Sequence, residues 1–136
     1  MISQTAEYAL RAAVYLAENP GAPKTIQQIA GGAMSPAGYL AKVMHSLVQA
    51  GVVQSQRGPG GGFVLAREPD RITMYDVVCA VDPIDRIVKC PLNRPDHESQ
   101  ICLLHQRLDE AARLVEDSFR GTTLADVVQQ PLCGCD

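Results

Sequence analysis

The 136-residue sequence predicts a mainly α fold carrying one small β-hairpin and ending in a long C-terminal helix. Three observations predict it. Apolar residues recur at helical spacing over most of the chain, and in one place they give way to two short runs around a Gly/Pro turn. Each periodic segment is bounded by a capping or breaking residue. Aromatic residues are few, with two Phe, four Tyr and no Trp, so the core falls to Leu, Val, Ile and Ala. At this length the chain should form one compact domain with an appended element.

The first helix is expected from about Ser3 to Glu18, where Ala6, Ala9, Leu10, Ala13, Val14 and Ala17 make one apolar stripe. Asn19-Pro20-Gly21 ends it, since proline cannot continue the backbone ladder. A second helix opens at Thr25, with Gln28 completing a capping-box pattern. Ile26, Ile29 and Ala30 form its buried face, and Gly31-Gly32 is expected to stop it. A third helix is expected with Ser35 as N-cap and Pro36 in the first helical position. Leu40, Val43, Met44, Leu47 and Val48 form its stripe, and Gly51 is its stop.

The period then changes. Val52 and Val53 begin a β-like run that turns through Gly58-Pro59-Gly60-Gly61-Gly62 and returns along Phe63, Val64 and Leu65. Thr73 and Asp76 cap a further helix carrying Val77, Val78 and Val81. Residues 82–100, broken by Pro83, Pro91 and Pro95, read as a loop. A long helix follows from about Ile101 to Arg120, with Leu104, Leu108, Ala111, Val115 and Phe119 on one side. Thr122 or Thr123 caps a last short helix through Val128. The resulting division is 1–81, 82–100 and 101–136.

The formal charge of −3 hides an asymmetry. Residues 1–67 hold five basic and two acidic side chains (+3), and residues 68–136 hold seven and thirteen (−6). A positive front half suits a nucleic-acid module joined to a different function, and also suits an ordinary solvated surface. No run approaches the ~20 apolar residues needed to span a bilayer. The N-terminus lacks a basic-then-apolar leader pattern, so a cytoplasmic protein without membrane contact is expected.

Two short helices joined by a glycine-containing turn, then a hairpin, are the order of a winged helix-turn-helix. The third helix can lie in a DNA major groove, where each base pair displays a distinct donor and acceptor pattern. Its first turn holds Ser35, Pro36, Gly38, Tyr39 and Lys42. Backbone N–H groups there attract phosphate, Gly38 permits close approach, and Tyr39 and Lys42 reach a base edge or a phosphate. At the hairpin tip Arg57 stands beside Gly58, Pro59, Gly60 and Gly61, a turn nearly free of side chains. Such a tip fits a narrow minor groove, whose negative potential attracts a guanidinium. Glycines alone would only close a hairpin; the adjacent arginine behind a capped helix favours double-stranded DNA.

The segment from Thr25 to Val81 resembles the IscR/NsrR/CymR family of winged-helix transcription regulators. The resemblance is carried by Ile29-Ala30, Tyr39-Leu40-Ala41-Lys42-Val43, Ala50-Gly51-Val52-Val53, Arg57-Gly58-Pro59-Gly60-Gly61-Gly62-Phe63 and Asp76-Val77-Val78. Thr5-Ala6-Glu7-Tyr8-Ala9-Leu10-Arg11 is similar too, so nearly the whole chain is covered. The resemblance implies a homodimer whose long C-terminal helix crosses its partner, a palindromic operator and, most often, repression. In many members three cysteines before that helix hold an iron–sulfur cluster. Cys90 and Cys102 match the outer two, whereas Asp96 stands in the middle position. His105 matches a ligating histidine of the IscR branch, and Glu7 a carboxylate supplied by the partner subunit in some relatives.

Cys102 and His105, at i and i+3, would point the same way from a helix start. Thiolate and imidazole suit an iron–sulfur cluster, with the two-iron form preferred here, or zinc. Three readings stand side by side: a cluster or metal on Cys90, Cys102 and His105 with Glu7 or Asp96; a Cys90–Cys102 thiol switch; and a degenerate sensor without cofactor. Cys79 reads as a buried free thiol, and Cys133-Gly134-Cys135 as a soft-metal chelate or an inert tail. An enzyme is not expected, because the glycines at 58–62 lack the lysine and serine of a phosphate-cradling loop. A winged helix used only for protein–protein contact is the alternative from another class.

Overall fold

The computed structural model describes residues 2–87 and 102–129. Helices α1 (Gln4–Glu18), α2 (Ile26–Ala33) and α3 (Ala37–Gln49) come first. Strands β1 (Val53–Gln56) and β2 (Gly62–Leu65), a 3₁₀ turn at Pro69–Arg71, and helices α4 (Met74–Val81), α5 (Leu103–Arg120) and α6 (Leu124–Gln129) follow. The fold is thus the expected mainly α winged helix-turn-helix with a long C-terminal helix. Cys90, Asp96, Cys133 and Cys135 lie outside the described residues.

The core gathers around α1. Ala6, Ala9, Ala12 and Ala13 are wholly buried, and their small side chains let neighbouring helices approach closely. Ile29 from α2, Leu40, Met44 and Leu47 from α3, and Val77 from α4 fill the space around them. Each such aliphatic side chain contributes about 1.5–3 kcal/mol by leaving water. Leu124 of α6 joins the same core, its N–H donating to the Ile72 carbonyl at 2.9 Å, while Thr73 and Thr123 form an antiparallel bridge. The last helix therefore returns to the first half of the chain. No helix among the described residues is long and apolar enough to cross a membrane.

Local rules explain most boundaries. Ser3 caps α1 by accepting from the Ala6 N–H, and reciprocal capping boxes join Thr25 to Gln28 and Thr73 to Asp76. Thr123, of the two expected threonines, forms a third box with Asp126 ahead of α6. Each cap of this kind is worth about 1 kcal/mol.

Several expectations are corrected. Gly31-Gly32 does not end α2, which runs on to Ala33 and stops at Met34 in the left-handed conformation (φ 53°, ψ 51°). A methyl group at Gly32 would overlap the Tyr15 ring, so this glycine makes room for an α1 side chain. Ser35 is not the cap of α3. Pro36 takes the N-cap, its carbonyl accepting from the Leu40 N–H at 3.0 Å, and the Ser35 Oγ is buried with no hydrogen-bond partner among the described residues. The left-handed Met34 consumes the turn one residue later than the sequence pattern suggests. The helix of the C-terminal half begins at Leu103 rather than Ile101, with Cys102 as its N-cap. Cys79 is half-buried rather than buried.

Candidate nucleic-acid interface

The hairpin is short and its register pairs Val53 with Leu65, Gln54 with Val64, Ser55 with Phe63 and Gln56 with Gly62. Its turn is dictated by Pro59-Gly60. The Gly61 N–H donates to the Gly58 carbonyl at 2.9 Å, and Gly60 sits at φ 74°. Proline second and a positive φ third are the requirements of a type II turn. Lys24 adds a third strand-like contact, which sequence reasoning missed. Its N–H donates to the Phe63 carbonyl at 3.0 Å, and the Phe63 N–H donates back at 2.8 Å. At Gly62 (φ 155°) a Cβ would strike the Lys24 backbone, so glycine is what lets the wing seat against the body.

Arg57 therefore emerges from the end of β1 at the foot of a closed, exposed turn. Arg57, Gly58, Pro59 and Gly60 are all exposed, and no hydrogen bond or ion pair engages the Arg57 guanidinium among the described residues. The other front-half cations divide in two. Arg11 is bound to Glu7 at 2.8 Å, and Arg67 donates to the Arg71 carbonyl and lies 3.9 Å from Asp76. Lys24, Lys42 and Arg57 carry no such partner among the described residues, leaving three cations ready for an external anion.

Helix α3 presents one polar strip. Gly38, Lys42, His45 and Gln49 are exposed at spacings of four, three and four, while Leu40, Val43, Met44 and Leu47 are buried behind them. His45 and Gln49 were not singled out from sequence; their place opposite the apolar stripe was the available signal. Tyr39 is tethered as well as exposed. Its hydroxyl hydrogen-bonds the Thr5 hydroxyl, and its ring meets Tyr8 edge-on with centroids 5.4 Å apart. This fixes the front of α3 on α1. Ser35 and Pro36 lie at the α2–α3 turn, with Pro36 exposed and Ser35 half-buried.

The second group of predicted residues is divided by the structure. Cys102 Sγ and His105 Nδ1 lie 3.0 Å apart, hydrogen-bonded to each other at the start of α5. A thiol and an imidazole converging in this way fit a soft or borderline metal. Glu7 within the same chain is occupied by Arg11. Among the described residues no group of three or more His, Cys, Asp or Glu side chains converges. One turn beyond His105, Asp109 binds Arg86 at 2.7 and 2.9 Å and accepts the Ile87 N–H at 2.8 Å. The Arg86 hydrogen bond, then the Ile87 N–H, holds this carboxyl down at about 2.

Helix α5 leaves four leucines largely in solvent: Leu103 at 62%, Leu104 at 64%, Leu108 at 51% and Leu114 at 65% exposure. At its far end the Arg120 guanidinium stacks on the Tyr75 ring at 3.8 Å, and a hydrogen bond to Cys79 pushes the Tyr75 phenol up.

Comparison with known proteins agrees with this geometry. The family model described as Rrf2, an iron-dependent transcriptional regulator, matches residues 2–130. A protein of Aquifex aeolicus (strain VF5) named as an HTH-type transcriptional regulator is 37% identical over 131 residues, 94% of this chain and 91% of that one. Among solved structures, CymR (YrzC), the global cysteine regulator of B. subtilis, is similar with a TM-score of 0.76 and 28% identity, covering 95% of this chain and 96% of that one. T. potens IscR gives a TM-score of 0.76 at 25% identity, covering 95% and 86%. The chain belongs to the Rrf2 family of winged-helix transcription regulators, which are DNA-binding proteins and not enzymes.

Proposed function

We propose that this regulator binds a palindromic operator as a homodimer, most often as a repressor, and that the state of a sensor at the start of α5 sets its affinity. The carrying observation is the convergence of Cys102 Sγ and His105 Nδ1 at 3.0 Å on the N-terminal end of α5. By the family pattern Cys90 joins them, with Glu7 of the partner subunit or Asp96 completing the donor set around an iron–sulfur cluster, or around zinc. Such a cluster would supply redox sensitivity. The chain's own part is to orient one thiolate and one imidazole on a helix end.

Dimerisation is supported by the exposed leucines of α5, which call for a second apolar helix. A two-fold dimer reads two half-sites related by the same symmetry, hence the palindrome. At each half-site α3 presents Lys42 and Tyr39 to the major groove, with Ser35, Pro36 and Gly38 at the phosphate. Arg57 enters the minor groove, carried by Gly58, Pro59, Gly60 and Gly61. Exposed Lys42 and Arg57, which have no ion-pair partner among the described residues, support that placement.

The deciding experiment is an absorption spectrum with iron, sulfide and zinc analysis on protein purified without oxygen. A coloured protein that bleaches in Cys102→Ala supports the cluster. A colourless, metal-free protein that forms a Cys90–Cys102 disulfide on oxidation would move the reading to a thiol switch. One that shows neither response has a degenerate sensor.

A further inference from the structure

After α4 the chain passes through 83–87 without regular structure before it reaches the 88–101 segment. Pro83 and Ile84 of this run line a cavity of about 460 Å³ together with Leu108, Ala112 and Val115 of α5. Asp109 of α5 ties this run down. Asp109 Oδ1 accepts from both Arg86 Nε and the Ile87 N–H, and Oδ2 accepts from Arg86 Nη2. Bonds to two successive residues fix the direction of the chain as well as its position. Glu116 supports the same guanidinium from 3.9 Å and also binds Arg120 at 3.3 Å.

We propose that Asp109 is a positioning residue for the sensor, gripping Arg86 and Ile87 so that the chain leaves α5 at a fixed place one helical turn from the Cys102–His105 pair. This role rests on the sensor reading above. A chain held at two successive residues beside the Cys102–His105 pair has less conformational freedom left to lose when a metal is bound there. Asp109 touches neither thiol nor imidazole in this arrangement; it acts through the backbone it holds. Its low pKa, caused first by the Arg86 hydrogen bond, keeps the grip charged throughout the neutral range.

The test uses the full chain, reduced and free of oxygen, with cobalt(II) as the probe. Wild type, Asp109→Asn and Asp109→Glu are compared by thiolate-to-cobalt absorption and by hydrogen exchange at the Ile87 amide. Asp109→Asn should exchange Ile87 about tenfold faster or more, because its NH2 would face the Arg86 Nη2 donor and push the side chain out of the geometry in which Oδ1 accepts the Ile87 N–H. Its cobalt affinity should fall about 10–100-fold, as is usual when a residue orienting metal ligands is lost. Asp109→Glu should recover part of both. If Asp109→Asn does not fold, Arg86→Gln, which removes the other half of the grip, should lower cobalt affinity in the same direction. Equal cobalt affinity in wild type and variants overturns the positioning role alone. A wild-type chain that takes up no cobalt overturns the sensor reading and this role with it.

Discussion

Lys24 and Phe63 hold each other through two backbone hydrogen bonds, 3.0 and 2.8 Å long, and this pairing fixes the wing to the helical body. The pairing needs a residue without a side chain at Gly62, whose Cβ position is filled by the Lys24 backbone. Gly62→Ala should therefore lower stability by about 1–3 kcal/mol, the usual range for forcing a strained backbone apart. DNA affinity should fall with it, because the wing loses its fixed angle. Urea denaturation and a gel-shift titration on the same preparation check both effects.

Arg57 makes a cleaner test, since nothing in the described protein depends on its guanidinium. Arg57→Ala should leave the melting temperature and the dimer unchanged. Operator binding should weaken by about 1–3 kcal/mol, and the slope of affinity against salt should become shallower. Undiminished gel-shift binding would defeat the wing argument.

The leucines on α5 bear on assembly. Leu104→Glu places a carboxylate on a face that is 64% exposed at that residue, so the isolated chain should tolerate it. A dimer that buries Leu104 against a second helix should not. Sedimentation velocity should show a shift toward monomer with the helical circular dichroism retained. A dimer of unchanged affinity would remove α5 from the interface.

Asp109 predicts a particular acid response. Its folded pKa of about 2 lies below the ordinary value of 3.8, so the unfolded chain takes up the proton first as pH falls. The grip on Arg86 and Ile87 thus stabilises the fold fully above that ordinary value and is lost as pH falls through about 2. Asp109→Asn should be less stable than wild type at neutral pH, and the gap should close in acid across that window. A gap independent of pH would show that the charge is not what matters.

Much of the fold was legible because its signals are local. Thr25 with Gln28, Thr73 with Asp76, and Pro59 followed by Gly60 each act within four residues, and each does in the structure what its spacing implies. The misses share the opposite property. Gly31-Gly32 reads as a helix stop, yet Gly32 answers to Tyr15 on another helix. Ser35 has the composition of a cap, but the left-handed Met34 shifts the start of α3 past it. Lys24 on Phe63 and Arg86 on Asp109 join residues far apart in sequence, and no period or cap announces them. The candidate site was legible in the same measure. The exposed wing tip and the Cys102–His105 spacing were readable from the chain, while the carboxylate that steadies the approach to them was not.

The return of α6 to the core gives α5 a mechanical character. At one end Thr123 and Leu124 are pinned beside Ile72 and Thr73, in the body that carries α3 and the wing. From that pivot the 18 residues of α5 reach about 27 Å to Cys102. A rod hinged at its root converts a shift of a few ångströms at its tip into a tilt of a few degrees at its base. A displacement at the thiol end would then be felt where Leu124 sits, in the core it shares with Leu40 and Met44 of α3.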